Sequence, residues 1–224
     1  TNPTTATADM ASGLITETLD QWVLSRLHVA VTRATESFDT FEYCDARVAI
    51  EDFFWNDFCD NYLELVKARA YEGEPAKQQS ALITLYHCLE AVLRLFAPFV
   101  PHVTEEIYSH IFDHRYSKTG SVHARGQWPV AADYPHDAVA ERAGFAGLDV
   151  LNMVRKAKSE AGVSIKYPVA EIVVGAKADV SFSELASVAE DVKSAAGTEV
   201  LREATATTPS CRVSDRGWFW VRVT

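Results

Sequence analysis

The chain has 224 residues, 48% of them apolar, with 10 Gly and 8 Pro. That is enough for one large domain or two small ones around a real core, and it excludes wholesale disorder; no apolar run approaches membrane-span length, so a transmembrane helix is excluded. The formal net charge of −10 is uneven: residues 1–136 hold 10 Lys and Arg against 19 Asp and Glu, residues 137–224 hold 11 against 12, and 142–166 is net positive. A polyanion must therefore be met locally, within the ~10 Å that salt leaves unscreened.

Residues 1–13 are small and polar and read as a disordered lead-in or linker. The missing Met at position 1 points to a fragment or a processed end. The first helix is expected over 17–37, where Leu19, Trp22, Val23, Leu27, Ala30, Val31 and Ala34 recur at three- and four-residue spacing. Asp20 and Glu17 fall in its first turn, where carboxylates suit the helix dipole. A long second helix is expected over 42–71, with Val48, Ile50, Phe54, Phe58, Tyr62 and Leu65 on its apolar side. Trp55 and Phe58 are both expected in the core, since large aromatics bury the most area. Gly73 and Pro75 stop this helix.

The third helix is expected over 76–97, with Leu82, Leu85, Leu89, Val92, Leu93 and Phe96 inward. Pro98 ends it, and Pro101 opens a short fourth helix over 102–113, Pro being tolerated in a first turn. Residues 114–136 read as loop and 138–161 as a fifth helix. The period then changes: Val169 to Val174 is a β-branched run, 181–196 returns to helical spacing, and 198–203 and 217–223 read as strands. The fold class is mainly α: an antiparallel helical bundle over 14–161 with a small β-α-β-β unit over 162–224.

Few residues suggest chemistry. Cys44, Cys59, Cys88 and Cys211 form no CxxC pair and read as free thiols of a cytoplasmic protein. His110 and His114 have zinc-like spacing, but no third ligand is suitably placed and exposed histidines are the simpler reading. Tyr116 to Ser121 lacks the glycine run of a phosphate loop. Glu105 and Glu106 read as capping carboxylates before a catalytic pair. From the residues alone, the chain is a helical, non-catalytic module, and an RNA-binding module and a protein-interaction scaffold both remain open.

Four blocks bear on that choice. They are Asp20-Gln21-Trp22-Val23-Leu24-Ser25-Arg26-Leu27, then Phe53-Phe54-Trp55-Asn56-Asp57-Phe58-Cys59-Asp60-Asn61-Tyr62-Leu63-Glu64, then Ala97-Pro98-Phe99-Val100-Pro101-His102-Val103-Thr104-Glu105-Glu106-Ile107-Tyr108, then Ser121-Val122 leading to Trp128-Pro129. In this order they resemble the C-terminal anticodon-binding region of class I aminoacyl-tRNA synthetases of the valine, isoleucine and leucine group. The second block is most like the valine members. The resemblance covers about residues 14–175. Gln21 departs from the group's usual basic residue, and Asn61 displaces its usual aromatic. The isoleucine and leucine members, and a protein scaffold outside the family, are the alternatives.

The resemblance implies a division of labour. The group's ATP-handling signatures, HIGH and KMSKS, are absent from this chain, so the segment alone is expected to be inactive and without a cofactor or metal. ATP and Mg2+ would belong to the parent enzyme, whose N-terminal catalytic and editing domains are implied partners. The segment would be a monomer that grips tRNA, here tRNA(Val). RNA loops are read by bases stacked on aromatic or Arg planes and by hydrogen bonds to base edges. The expected contacts are Arg26, Arg33, Tyr43 and Arg47 on the first two helices, Arg155, Lys156 and Lys158 on the fifth, and Lys166 beyond it, all around one groove between those helices.

Overall fold

The computed structural model describes residues 5–112, 121–125, 127–176, 181–204, 212, 213, 216 and 218–224. Among them the helices run α1 (Ala6–Ala11), α2 (Thr18–Asp39), α3 (Tyr43–Asp52), a π-helical segment (Phe53–Tyr62), α4 (Leu63–Glu72), α5 (Pro75–Phe96), α6 (Pro101–Phe112), α7 (Val122–Arg125) and α8 (Ala138–Glu160). A 3-10 turn, Ala131–Asp133, precedes α8. The C-terminal part is β1 (Ile172–Ala176), α9 (Phe182–Ala186), α10 (Ala189–Ala196), β2 (Leu201–Glu203), β3 (Arg212–Val213) and β4 (Phe219–Val223). Its strands lie in the order β2-β1-β4-β3, with β1 parallel to β2 and antiparallel to β4. The chain is thus mainly helical with a small mixed sheet.

The element boundaries have local causes. Pro75 and Pro101 open α5 and α6, where a missing N–H costs nothing. Asp137 caps α8, its Oδ1 accepting from the amides of Val139 and Ala140 at 2.8 and 3.0 Å. Gly197 closes α10 with φ +72°, a left-handed position that glycine takes without a Cβ penalty.

Three local expectations are corrected. Residues 5–13 are ordered structure rather than a lead-in: α1 buries Ala6 and Asp9, and His87 Nε2 lies 2.7 Å from Asp9 Oδ2, both residues being buried. The helix from Tyr43 to Glu72 is continuous, but its middle is π-helical. The wider turn shifts the buried positions to Phe53, Phe58 and Tyr62, at spacings of five and four. Phe58 is core as expected (6% exposed), whereas Trp55 is rotated out to 56% exposure, and Val48 also faces solvent. On α5, Leu82 is exposed, and Ser80, Thr84, His87 and Cys88 face inward instead. Ser80 and His87 have buried acids to meet, Asp20 and Asp9, which a count of apolar positions does not register.

The first of those acids is Asp20. It is fully buried and collects Tyr62 OH at 2.8 Å, Ser80 Oγ at 2.5 Å and the two guanidinium nitrogens of Arg69 at 2.8 and 2.7 Å. Arg69 also donates Nε to Asp191 of α10 at 3.1 Å. Burial by itself would lower the Arg69 pKa, but its bonds to Asp20 and the charges of Asp20 and Asp191 hold it above its ordinary value. One network thus ties α2, the π segment, α4, α5 and α10 together.

The core runs without a break from Trp22, Leu27, Phe53 and Leu95 to Ile172, Val188, Val192 and Phe219. Helix α8 joins the two parts. A Cβ on Gly144 would lie 2.2 Å from the Trp22 indole, so the bare glycine lets α2 approach closely.

Candidate nucleic-acid interface

Helices α2 and α8 flank the π segment, and Arg26 lies where the three meet. Its Nε donates to Asp57 Oδ2 at 3.0 Å and its NH1 is 3.7 Å from Glu141 Oε1. Its guanidinium sits 5.3 Å from the centre of the Phe145 ring. Burial pushes the Asp57 carboxyl above its ordinary range, with Arg26 opposing that shift. A second guanidinium, Arg216, lies 4.4 Å over the same Phe145 ring and 5.8 Å from Trp218, and donates to Asp149 Oδ1 at 2.7 Å. Two cations on one aromatic ring gain from its quadrupole and remain partly open to solvent. Arg216 carried no signal in the sequence, because it lies in a turn where no periodicity points to a partner.

Arg155 stands further along α8. Its NH1 donates to Asn61 Oδ1 at 3.3 Å and its NH2 to the Asp60 carbonyl at 3.2 Å, which props the guanidinium against the end of the π segment. Lys156 is exposed and makes no hydrogen bond or ion pair among the described residues. Lys158 differs from the surface cation that the sequence suggested. It is 5% exposed, and its Nζ donates to the carbonyls of Ile165 at 2.7 Å and Ala196 at 2.8 Å. Burial lowers its pKa. Two residues along a helix turn through about 200°, so Lys156 and Lys158 point to opposite sides. Lys166 is exposed on the turn beyond α8.

The remaining expected residues lie elsewhere. Arg33 is exposed two turns along α2 from Arg26. Tyr43, half exposed, packs its ring 5.5 Å from Phe38 and 6.3 Å from Phe41. Phe41 is 75% exposed and takes φ +63°, a left-handed backbone that is rare for a bulky residue. Arg47 is held by both oxygens of Glu51 at 2.7 and 2.9 Å. Glu36, Asp39, Glu42 and Asp45 share this end of the α2–α3 hairpin. The single groove expected from the sequence is therefore two surfaces: one with Arg26, Arg155 and Arg216, and an acidic one with Tyr43, Arg47 and the exposed Phe41.

The other motifs find structural employment. Glu105 accepts from Ser121 Oγ at 2.8 Å and the Val122 amide at 3.1 Å, so it caps α7 rather than its own helix. His110 pairs with Glu106 one turn away at 3.1 Å, while His114 and most of Tyr116 to Ser121 lie outside the described residues. Among the described residues no group of three or more His, Cys, Asp or Glu could hold a metal ion, and no helix is long and apolar enough to cross a membrane.

Residues 20–174 match the family model described as the anticodon-binding domain of tRNA ligase. The chain is 48% identical over 175 residues to the valine–tRNA ligase of Anaplasma marginale, covering 78% of this chain and 20% of that protein. It is 46% identical over 162 residues to the valine–tRNA ligase of Ehrlichia canis, covering 71% and 20%. With that of Wolbachia pipientis wMel it shares 42% over 175 residues, covering 78% and 19%. The chain thus spans about a fifth of the length of these relatives. The four sequence blocks lie within the matched region, and with a helical bundle of this architecture they assign the chain to the anticodon-binding domain family of the tRNA ligases.

Proposed function

We propose that this chain is the part of a valine–tRNA ligase that grips the anticodon stem and loop of tRNA(Val), in a parent enzyme that attaches valine to that tRNA using ATP and Mg2+. The observation that carries this reading is the extent of the likeness to valine–tRNA ligases, 48% identity over 78% of the chain. The surface made by α2, the π segment and α8 supports it, because guanidinium and aromatic planes are the groups on which unpaired bases stack. Arg26, Arg216 and Phe145 would face the loop, Arg155, Lys156 and Lys166 the phosphates, and Arg33, Tyr43 and Arg47 a more distant part of the RNA. Activation of valine and its transfer belong to the catalytic domain of the cytoplasmic parent enzyme, and the removal of errors to its editing domain. This monomeric segment contributes position and selectivity. A net charge of −10 repels RNA at long range, so binding depends on these local cations.

Titration of the purified chain with synthetic anticodon hairpins tests the reading. The hairpin with a valine anticodon is expected to bind more tightly than hairpins with other anticodons, with affinity falling as salt rises. Equal affinity for all hairpins, or no binding, would overturn it.

A further inference from the structure

Glu141, Phe145 and Asp149 follow one another at four-residue spacing on α8 and form one stripe, an aromatic ring between two carboxylates. Each carboxylate faces a guanidinium that also lies against the ring. Arg26 is 3.7 Å from Glu141 and 5.3 Å from the ring centre, and Arg216 is 2.7 Å from Asp149 and 4.4 Å from the ring centre. The two acids differ in setting. Glu141 also accepts from Ser25 at 2.9 Å, and Arg26 has a second acid in Asp57. Among the described residues, Asp149 has one cation, Arg216; it is 2% exposed, and its Oδ2 is buried without a hydrogen-bond partner. Arg216 itself keeps 39% of its side chain open to solvent.

We infer that Asp149 is a positioning residue of the RNA surface: buried and out of reach of RNA itself, it fixes the plane of the Arg216 guanidinium beside Phe145 before RNA arrives. The inference rests on the RNA-binding reading above. A carboxylate this deep needs its cation, so Asp149 keeps Arg216 from swinging into solvent, as a long side chain on a turn otherwise does. Two guanidiniums, Arg26 and Arg216, against three carboxylates, Asp57, Glu141 and Asp149, leave no positive charge over for a phosphate. What the cluster offers is planes, and RNA stacks its unpaired rings on guanidinium planes. A plane fixed in advance spares the binding step the cost of ordering a long side chain. Arg216 lies between β3 and β4, so Asp149 also gives the C-terminal unit a part in RNA binding.

Titrations of the valine anticodon hairpin against three variants test this. Arg216→Lys keeps the charge that Asp149 needs and loses the plane. Asp149→Asn keeps the shape of the buried side chain and releases Arg216 to water that already reaches it. Each is expected to weaken hairpin binding about tenfold, with the slope of affinity against salt unchanged and the chain still folded by circular dichroism. Both act on one guanidinium plane, so the double variant should bind no more weakly than Arg216→Lys alone. Unchanged affinity in Asp149→Asn, or losses that add in the double variant, would overturn the role. Full affinity in Arg216→Lys would make Arg216 a point charge and overturn it too. An Asp149→Asn chain that is unfolded at the assay temperature would do the same, because the aspartate would then serve stability alone. Failure of the unmodified chain to bind any hairpin overturns the RNA reading itself.

Discussion

The two ends of the α2–α3 hairpin put basic residues to opposite uses. Where the hairpin meets α8 and α10, cations are absorbed into the fold: Arg69 lies between Asp20 and Asp191, and Lys158 closes the end of α10. At the turn of the hairpin, Arg33 is exposed and Arg47 is held only by an exposed partner one turn away. The same residue types are structural struts where burial is high and charges open to solvent where water remains. Sequence spacing cannot distinguish these, because burial is a property of the neighbours.

If that contrast is right, substitutions should rank by burial rather than by charge. Arg69→Met leaves Asp20 buried without its cation, and breaking a buried pair in this way costs about 3–5 kcal/mol. In a chain of this size that is a fall of roughly ten degrees in Tm, measurable by thermal denaturation. A shift of a degree or less would show that the network is not holding the bundle together.

The π segment offers the same contrast between two aromatics three residues apart. Phe58→Ala is expected to cost about 3–5 kcal/mol, and Trp55→Ala only within about 0.5 kcal/mol. Equal losses in urea unfolding would place Trp55 back in the core and remove the π-helical phase shift.

Smaller effects come from the contacts of α8. Gly144→Ala drives a methyl group into the Trp22 indole, and overpacking of this kind costs about 1–3 kcal/mol. Lys158→Met leaves the Ile165 and Ala196 carbonyls without their donor, at about 1–3 kcal/mol for a buried unsatisfied group. Limited proteolysis of this variant should cut more readily at 162–168, and an unchanged cleavage rate would mean that Lys158 does not hold that turn.

The outer cations should leave stability alone. Lys156→Ala with Lys166→Ala is expected to move Tm within the range of ordinary surface changes, about 0.5 kcal/mol or less. It should flatten the salt dependence of hairpin binding by about 0.7 per lost phosphate contact. An unchanged slope would take both lysines out of the RNA surface.

Much of the helical scaffold was legible because its signals are local. Expected helices at 17–37, 76–97 and 138–161 stand at Thr18–Asp39, Pro75–Phe96 and Ala138–Glu160. The 3.6-residue period, Pro75, Pro101 and the cap at Asp137 act within a few residues of where they are read. Of the residues expected around one groove, Arg26 and Arg155 both rest against the π segment, because both are set by the faces of regular helices.

The sequence by itself determined the helical class, the strand-bearing C-terminal unit and, through four ordered blocks, the family. Tertiary structure decided the fate of the individual charges. It took Lys158 and Arg69 inside, turned Trp55 out through one π-helical stretch, brought Arg216 from the far end of the chain onto Phe145, and fastened α1 through Asp9 and His87. Periodicity reports which side of a helix is apolar. Whether a polar residue on it meets water or a buried partner depends on residues from 42 to 122 positions away, as in the Tyr62–Asp20 and Arg69–Asp191 bonds, and these come together only when the chain packs.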